Sequence, residues 1–368
     1  MAEPDNKPDY EKDIEKANAA YEDWLRQQLL PGKAVEKDLV EKRNKMSKNA
    51  FSFLRATYWR WAETILHKCP GLKGAPEVLA IGDIHLENYG TWRDNDGRLI
   101  WGVNDFDEAA VMPYPLDLVR LATSARLAQR QAKDESVDVC ATILKGYDEG
   151  LQAPCAFVMD EKHKWLRKLF VADEDRRKDF WDEVNKEQGS KPPDSYHLAI
   201  AAQMPEAGIV IKKCYPKQAG TGSLGRPRWV GVADWHGGQV VREAKALVCS
   251  GWNRAKKKQP KHLQVQEISQ GRYRAPDPWY LADDKLVVRR LSPNNRKITV
   301  KDNFADLLEE QMLKAMGHEL ANIHLGTGDN RGAIQADLAK RKGTWLQDAV
   351  TAATDFVEGE FKNWPKSK

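Results

Sequence analysis

The stretch "VLAIGDIHLENYG", residues 78–90, runs four apolar residues into a glycine and then sets Asp83, His85, Glu87 and Asn88 within six positions. A short apolar run bounded by glycine reads as a buried strand. A carboxylate, an imidazole and an amide directly after it read as a site at the strand's end. Downstream, "RLIWGVNDFDEA", residues 98–109, repeats the pattern, with an apolar run that stops at Asp105, Phe106 and Asp107. Between the two lies "DNDG", residues 94–97, a turn signal. The expectation is two strands joined by a loop and a tight turn, with acidic groups gathered at their ends.

That spacing suits one chemistry in particular. Phosphoryl transfer from ATP needs a carboxylate to orient or deprotonate an acceptor hydroxyl, and oxygen ligands to hold magnesium against the phosphates. Asp83 and Asn88 are five residues apart, and Asp105-Phe106 closes the next strand. Taken singly, each acid is as well explained as a turn or cap residue.

"GDIHLENYG", "GVNDFDEA" and "PLDLVRLA" together resemble the catalytic core of aminoglycoside phosphotransferases and related kinase-like enzymes. With "FSFLRA", "GTGSLG", "VVREAKAL" and "GHELANIHLGTGD" added, most of residues 45–330 resembles the bacterial family called domain of unknown function 2252. The resemblance implies an α+β, protein-kinase-like fold of two lobes that uses ATP and magnesium on a hydroxyl-bearing acceptor it does not name. It implies Asp83 as catalytic base, His85 as the residue ordering the catalytic loop, and Asn88 and Asp105 as magnesium ligands. Asp107 would be a further acid beside the metal, and Asp117 an anchor that holds the loop from its helix. Glu87 gains no role from it.

Gly220, Gly222 and Gly225 spell GxGxxG, with Thr221 and Ser223 between them. A dinucleotide-binding version of this motif opens a helix. Here "RPRWVGVADW" follows, rich in β-formers and ending at Gly237-Gly238, which reads as a strand in a hairpin, as after a kinase glycine-rich loop. Residues 220–225 are therefore candidate nucleotide binders. The phosphate-contacting cation expected on the following strand is Arg242 or Lys245. The two face opposite sides of a strand, and the register of "VRE" with the family favours Arg242. Because this loop follows the catalytic loop, the kinase-like lobes would be circularly permuted.

Around this core the sequence divides into a helical region (1–72), a catalytic and metal-binding lobe (73–200), a β-rich nucleotide lobe (201–300) and closing helices (301–368). Phe51, Leu54, Tyr58, Trp61 and Ile65 recur at helical spacing. Leu118, Leu121, Ala122 and Ala125 do the same after Pro115. His318 and His324, six apart in "GHELANIH", do not share a helical face as a zinc pair would. The formal charge of +4 is too mild to mark a nucleic-acid binder, and no apolar run is long enough to span a bilayer. The acidic, polar start and five scattered cysteines fit a cytoplasmic protein with reduced thiols.

Two other functions compete. A nucleotide-binding pseudokinase would keep the cleft without the transfer. A nucleic-acid binder would use the 13 tryptophans and basic segments such as "NRAKKKQPKH" and "RRLSPNNRK", but most tryptophans lie in patterns that read as core. Arg289, Arg290, Arg296 and Lys297 in the second segment read equally well as a basic surface loop or as groups that steady an anionic substrate or nucleotide.

Overall fold

A computed structural model of the chain describes residues 9–29, 33–218, 220–299 and 304–365. Among these residues strands and helices are mixed, and the strands form three antiparallel sheets. The strand expected at 78 is β1 (Glu77–Ala80). An unexpected strand follows the polar cluster directly, β2 (Tyr89–Arg93), and it pairs with β3 (Leu99–Val103) across the predicted turn. β1 therefore does not pair with β3. Its partner is β4 (Ala110–Pro113), while β5 (Phe157–Val158) adds to the free edge of β3. This arrangement folds the segment between β1 and β2 and the segment between β3 and β4 toward each other. The two acidic clusters meet there.

Helices Ala50–Ala56 and Tyr58–Lys68 carry the amphipathic face expected from 51 to 65, and all five of its apolar residues are buried. The run is broken once, at Thr57, whose hydroxyl donates to the Phe53 carbonyl at 2.7 Å. A side chain that bonds back to the preceding turn competes with helix continuation. The helix predicted after Pro115 is Pro115–Ala132. It joins Val139–Gln152, Glu310–His324 and Trp345–Asn363 in one hydrophobic core that runs from Ile14 to Trp364. The helices at both ends of the chain thus share one core with the segment that carries β1 to β4. Gly146 and Gly317 let two of these helices touch backbone to backbone, since a Cβ at either would overlap a carbonyl of the other.

The third sheet is a separate layer of five strands. They are β6 (Ile211–Pro216), β7 (Arg228–Trp235), β8 (Gly238–Ala246), β9 (Leu281–Ala282) and β10 (Leu286–Leu291), in the order β6-β7-β8-β10-β9. The β7–β8 turn centres on His236 and Gly237, both with positive φ, one residue earlier than the Gly-Gly pair suggested. Positive φ at both central residues is what a type I′ hairpin requires. Helix Asp194–Ala202 packs Tyr196 and Ile200 on one face of the sheet, and helix Glu174–Lys186 packs Val184 on the other. Both helices begin before residue 201, yet their apolar contacts are with the β-rich lobe.

Candidate functional site

The floor of the site is the loop from Ile81 to Asn88. Asp117, wholly buried in the first turn of its helix, accepts the backbone N–H of Ile81 at 2.8 Å and of Gly82 at 3.0 Å. His324 reaches the same carboxylate at 3.2 Å and is itself held by Tyr147 at 2.9 Å. The Ser124 hydroxyl accepts the N–H of Leu86 at 3.2 Å, and His85 Nδ1 accepts that of Glu87 at 3.2 Å. Burial, followed by Arg55 and Arg120 nearby, holds the His85 imidazole well below its ordinary pKa, so it stays a neutral acceptor. Asn88 Nδ2 donates to the Asp83 carbonyl at 3.1 Å and the Asp105 carbonyl at 3.3 Å, tying the two acidic clusters together.

Asp83 Oδ1 takes a 2.5 Å bond from Arg120 Nη2. Arg120 is fully buried three residues beyond Asp117, bonds the Leu54 carbonyl at 2.9 Å, and stacks over Tyr58 and Trp61. The other carboxylate oxygen faces the glycine loop: a Cβ added to Gly222 would sit 2.9 Å from Asp83 Oδ2. Residues 220–225 form turns, not a helix, between β6 and β7. The roof formed by this loop is held largely from outside its own sheet. Lys42 donates to the Gly222 carbonyl at 3.0 Å, Val35 donates its N–H to the Gly225 carbonyl at 2.9 Å, and Ser223 Oγ accepts from Arg228 at 3.0 Å.

On β8, Lys245 and Arg242 part company, and the preference for Arg242 needs correcting. Lys245 Nζ lies 2.5 Å from Asp107 Oδ2 and 3.4 Å from Asp105 Oδ1. Arg242 points to the opposite face, where its Nε donates to the Gln203 carbonyl at 2.6 Å and its guanidinium lies over Trp279, its pKa brought down by burial to about 10. Strand alternation separates residues three apart, and it puts Glu243 on the same face as Lys245. Glu243 takes bonds from Arg228 at 2.6 Å and Arg289 at 2.8 Å. Burial alone would raise Asp105, but Lys245, Lys297, Arg289 and Arg228 hold it well below the usual carboxylate range. Burial, and Asp105 beside it, push Asp107 the other way.

Together these groups line a cleft of about 290 Å³ that contains Asp83, His85, Asn88, Asp105, Asp107, Gly220, Thr221, Gly222 and Ser223. Asp117 supports it from below. Gly225 lies outside it, packed on Leu39. Arg55 and Glu87 also line it and form a salt bridge with each other. Glu87, which the sequence left without a role, is a buried partner that fixes Arg55. Of the basic segment after β10, Arg289 and Lys297 reach the cleft, whereas Arg290 turns to Asp277 and Arg296 to the Val171 carbonyl. Lys297 arrives because residues 294–297 are stitched to β2: the Thr91 hydroxyl donates to the Asn294 carbonyl at 2.6 Å, Thr91 N–H to the Arg296 carbonyl at 2.9 Å, and Gly90 bridges to Lys297.

A second cavity, about 250 Å³, lies on the other side of Lys297 and Arg289, with Trp92, Phe106 and Tyr280 among its walls. In "GHELANIH", Glu319 accepts the Val103 N–H, Asn322 bonds the Cys155 backbone, and His324 braces Asp117. His318 lies elsewhere, beside Cys155 and Phe157. Among the described residues, no group of three or more His, Cys, Asp or Glu side chains is arranged to hold a metal. Asp105 and Asp107 offer two carboxylates, with Asp107 Oδ1 buried and lacking a hydrogen-bond partner. Magnesium commonly takes one or two carboxylates and completes its shell with phosphates and water, so this donor set fits it.

The sequence model of the family described as "Uncharacterized protein conserved in bacteria (DUF2252)" matches residues 34–217. The chain belongs to this family. The match takes in the loop from Ile81 to Asn88, both acidic clusters and β6, and stops before the glycine loop. No curated protein matches the chain, and no solved structure does. No described helix is long and apolar enough to cross a membrane.

Proposed function

We propose that the chain is a kinase-like phosphotransferase that uses ATP and magnesium, with its two lobes permuted in sequence. One observation carries this reading. The glycine loop lies against Asp83 while the lysine of the third strand of its sheet bridges Asp105 and Asp107, although the segments are more than a hundred residues apart. A glycine-rich loop over a catalytic aspartate, with a strand lysine beside a metal-binding aspartate, is the arrangement phosphoryl transfer from ATP uses. Permutation costs little where chain ends lie at the surface.

On this reading Asp83 Oδ2 receives the acceptor hydroxyl, because Arg120 occupies Oδ1 and fixes the carboxylate's orientation. Asn88 ties the loop bearing Asp83 to the one bearing Asp105, and its Oδ1, Asp105 and Asp107 are the groups that would hold magnesium. Magnesium held by these residues would offset the negative charge that develops on the phosphates. ADP formation should therefore require magnesium, and Asp83→Asn should abolish turnover while sparing nucleotide binding. If purified protein binds no ATP with magnesium, or Asp105→Ala changes nothing, the proposal fails.

The Arg120 contact also favours a second reading. Arg120 occupies one oxygen of the carboxylate that would serve as base, an arrangement that a nucleotide-binding pseudokinase would tolerate. Single-turnover transfer of labelled phosphate, to any acceptor or to the protein itself, separates the two.

A further inference from the structure

The cleft's cations are nearly all neutralised from within. Arg55 pairs with Glu87, and Arg226 with Glu108 at 2.5 Å and Asp107 at 3.4 Å. Arg228 and Arg289 share Glu243. Lys245, the lysine a kinase-like scheme would give to the phosphates, is buried behind Asp105 and Asp107 and paired to both. Lys297 differs from all of these. Among the described residues its ammonium makes no hydrogen bond and no ion pair, and it lines both the 290 Å³ cleft and the aromatic-walled cavity beside it.

A cation already paired to a carboxylate has less to gain from a ligand anion, which must displace the partner or share the charge. An unpaired, partly desolvated lysine gains a full charge-assisted bond. Burial, with Arg289, Lys245 and Arg55 around it, brings Lys297 down to about 8, opposed by Asp105, and a bound anion would relieve that pressure. Its position is fixed by backbone, since the bridge to Gly90 and the bonds from Thr91 hold residues 294–297 in place. Its side chain is then the cationic point where the two cavities meet.

We propose that Lys297, rather than Lys245, is the lysine that receives a phosphate of the bound ligand, and that Lys245 instead holds Asp105 and Asp107 in place. The phosphate as the anion rests on the phosphotransferase reading above. A carboxylate ligand would call on the same lysine, so inorganic tripolyphosphate and citrate are the two arms of the test. Titration calorimetry on the full chain should give a tripolyphosphate affinity at least about tenfold weaker in Lys297→Met, close to wild type in Lys297→Arg, and tighter than that of citrate. Lys297 has no partner to leave stranded, so thermal melting of Lys297→Met should match wild type. As a second measurement, tripolyphosphate should protect Lys297 from amine acetylation.

Wild-type binding with no loss in Lys297→Met, no binding by wild type, or no protection of Lys297 would overturn the proposal. Citrate binding more tightly than tripolyphosphate would overturn the phosphate assignment. The two readings fail separately. Tripolyphosphate binding that depends on Lys297 without any ATP turnover sinks the phosphotransferase alone, while full turnover in Lys297→Met sinks the role of Lys297 alone.

Discussion

The two loops that close on Asp83 are built on opposite plans. The floor, residues 81–88, is fastened by side chains of its own lobe, chiefly Asp117 and Ser124 from one helix, with His85 and Asn88 bonding within the loop region. The roof, residues 220–225, bonds to the N-terminal segment through Val35 and Lys42, some 180 residues away in sequence. Backbone groups bonded to a buried helix move only if the core moves. Those bonded to a distant segment through only a couple of hydrogen bonds can open locally, as binding loops commonly do. The floor is therefore expected to be fixed geometry and the roof adjustable.

Asp117→Ala tests the fixed half, with the largest expected effect. It strands two buried backbone donors and leaves His324 without its carboxylate, so a loss of about 3 kcal/mol or more is expected. Urea unfolding measures it, and a loss under about 1 kcal/mol would mean the floor has other fastenings. Next comes the site between the halves. Lys245→Met leaves Asp105 beside Asp107 with no cation between them, which should lower ATP turnover about a hundredfold. Arg242→Met removes a contact on the sheet's far face, and turnover should stay near wild type. Equal losses in the two variants would contradict the assignment of faces.

Lys42→Met then tests the adjustable half. It removes one charged bond to the Gly222 carbonyl, so a stability loss of about 1 to 2 kcal/mol is expected. Hydrogen exchange should rise at residues 220–225 and stay unchanged at 81–88. A rise in both loops would show that they open as one unit.

How much of this was legible in the sequence depended on the range of each contact. The apolar runs entering Asp83 and Asp105 pointed to the site because strand patterning is local. "YGTWR" carries no clean alternation, since β2 is buried on nearly every residue, so it passed unread as a strand. Lys245 could have been chosen over Arg242 from period 2 alone: Glu243 and Lys245 share a face, and an acid and a base two apart on a strand suggest a common charged surface. Arg120 also left a signal, as a guanidinium among Leu118, Val119, Leu121 and Ala122 must either find a partner or stay out of the core. No local pattern could join Arg55 to Glu87 or Lys42 to Gly222. The helix Glu36–Met46 is so rich in charge that it reads as a solvated face, yet Lys42 is among the most buried residues of the chain.

The smallest effect expected separates the loops by pH. His85 belongs to the floor, and burial keeps it neutral in the folded chain, whereas an unfolded histidine takes up a proton near pH 6.5. Below that pH the unfolded state binds more protons than the folded one, so stability must fall with falling pH, by at most about 1.4 kcal/mol per pH unit for this one group. His85→Gln keeps an acceptor for the Glu87 N–H but cannot titrate. Urea unfolding at pH 7.0, 6.0 and 5.5 should therefore give a shallower decline for the variant, because other groups titrate equally in both proteins and cancel in the difference. The roof contributes no histidine among residues 220–225, so exchange there should not follow pH in the same window. Identical pH slopes for wild type and variant would mean that the imidazole is already solvated in the folded chain, and that the floor is looser than its bonds imply.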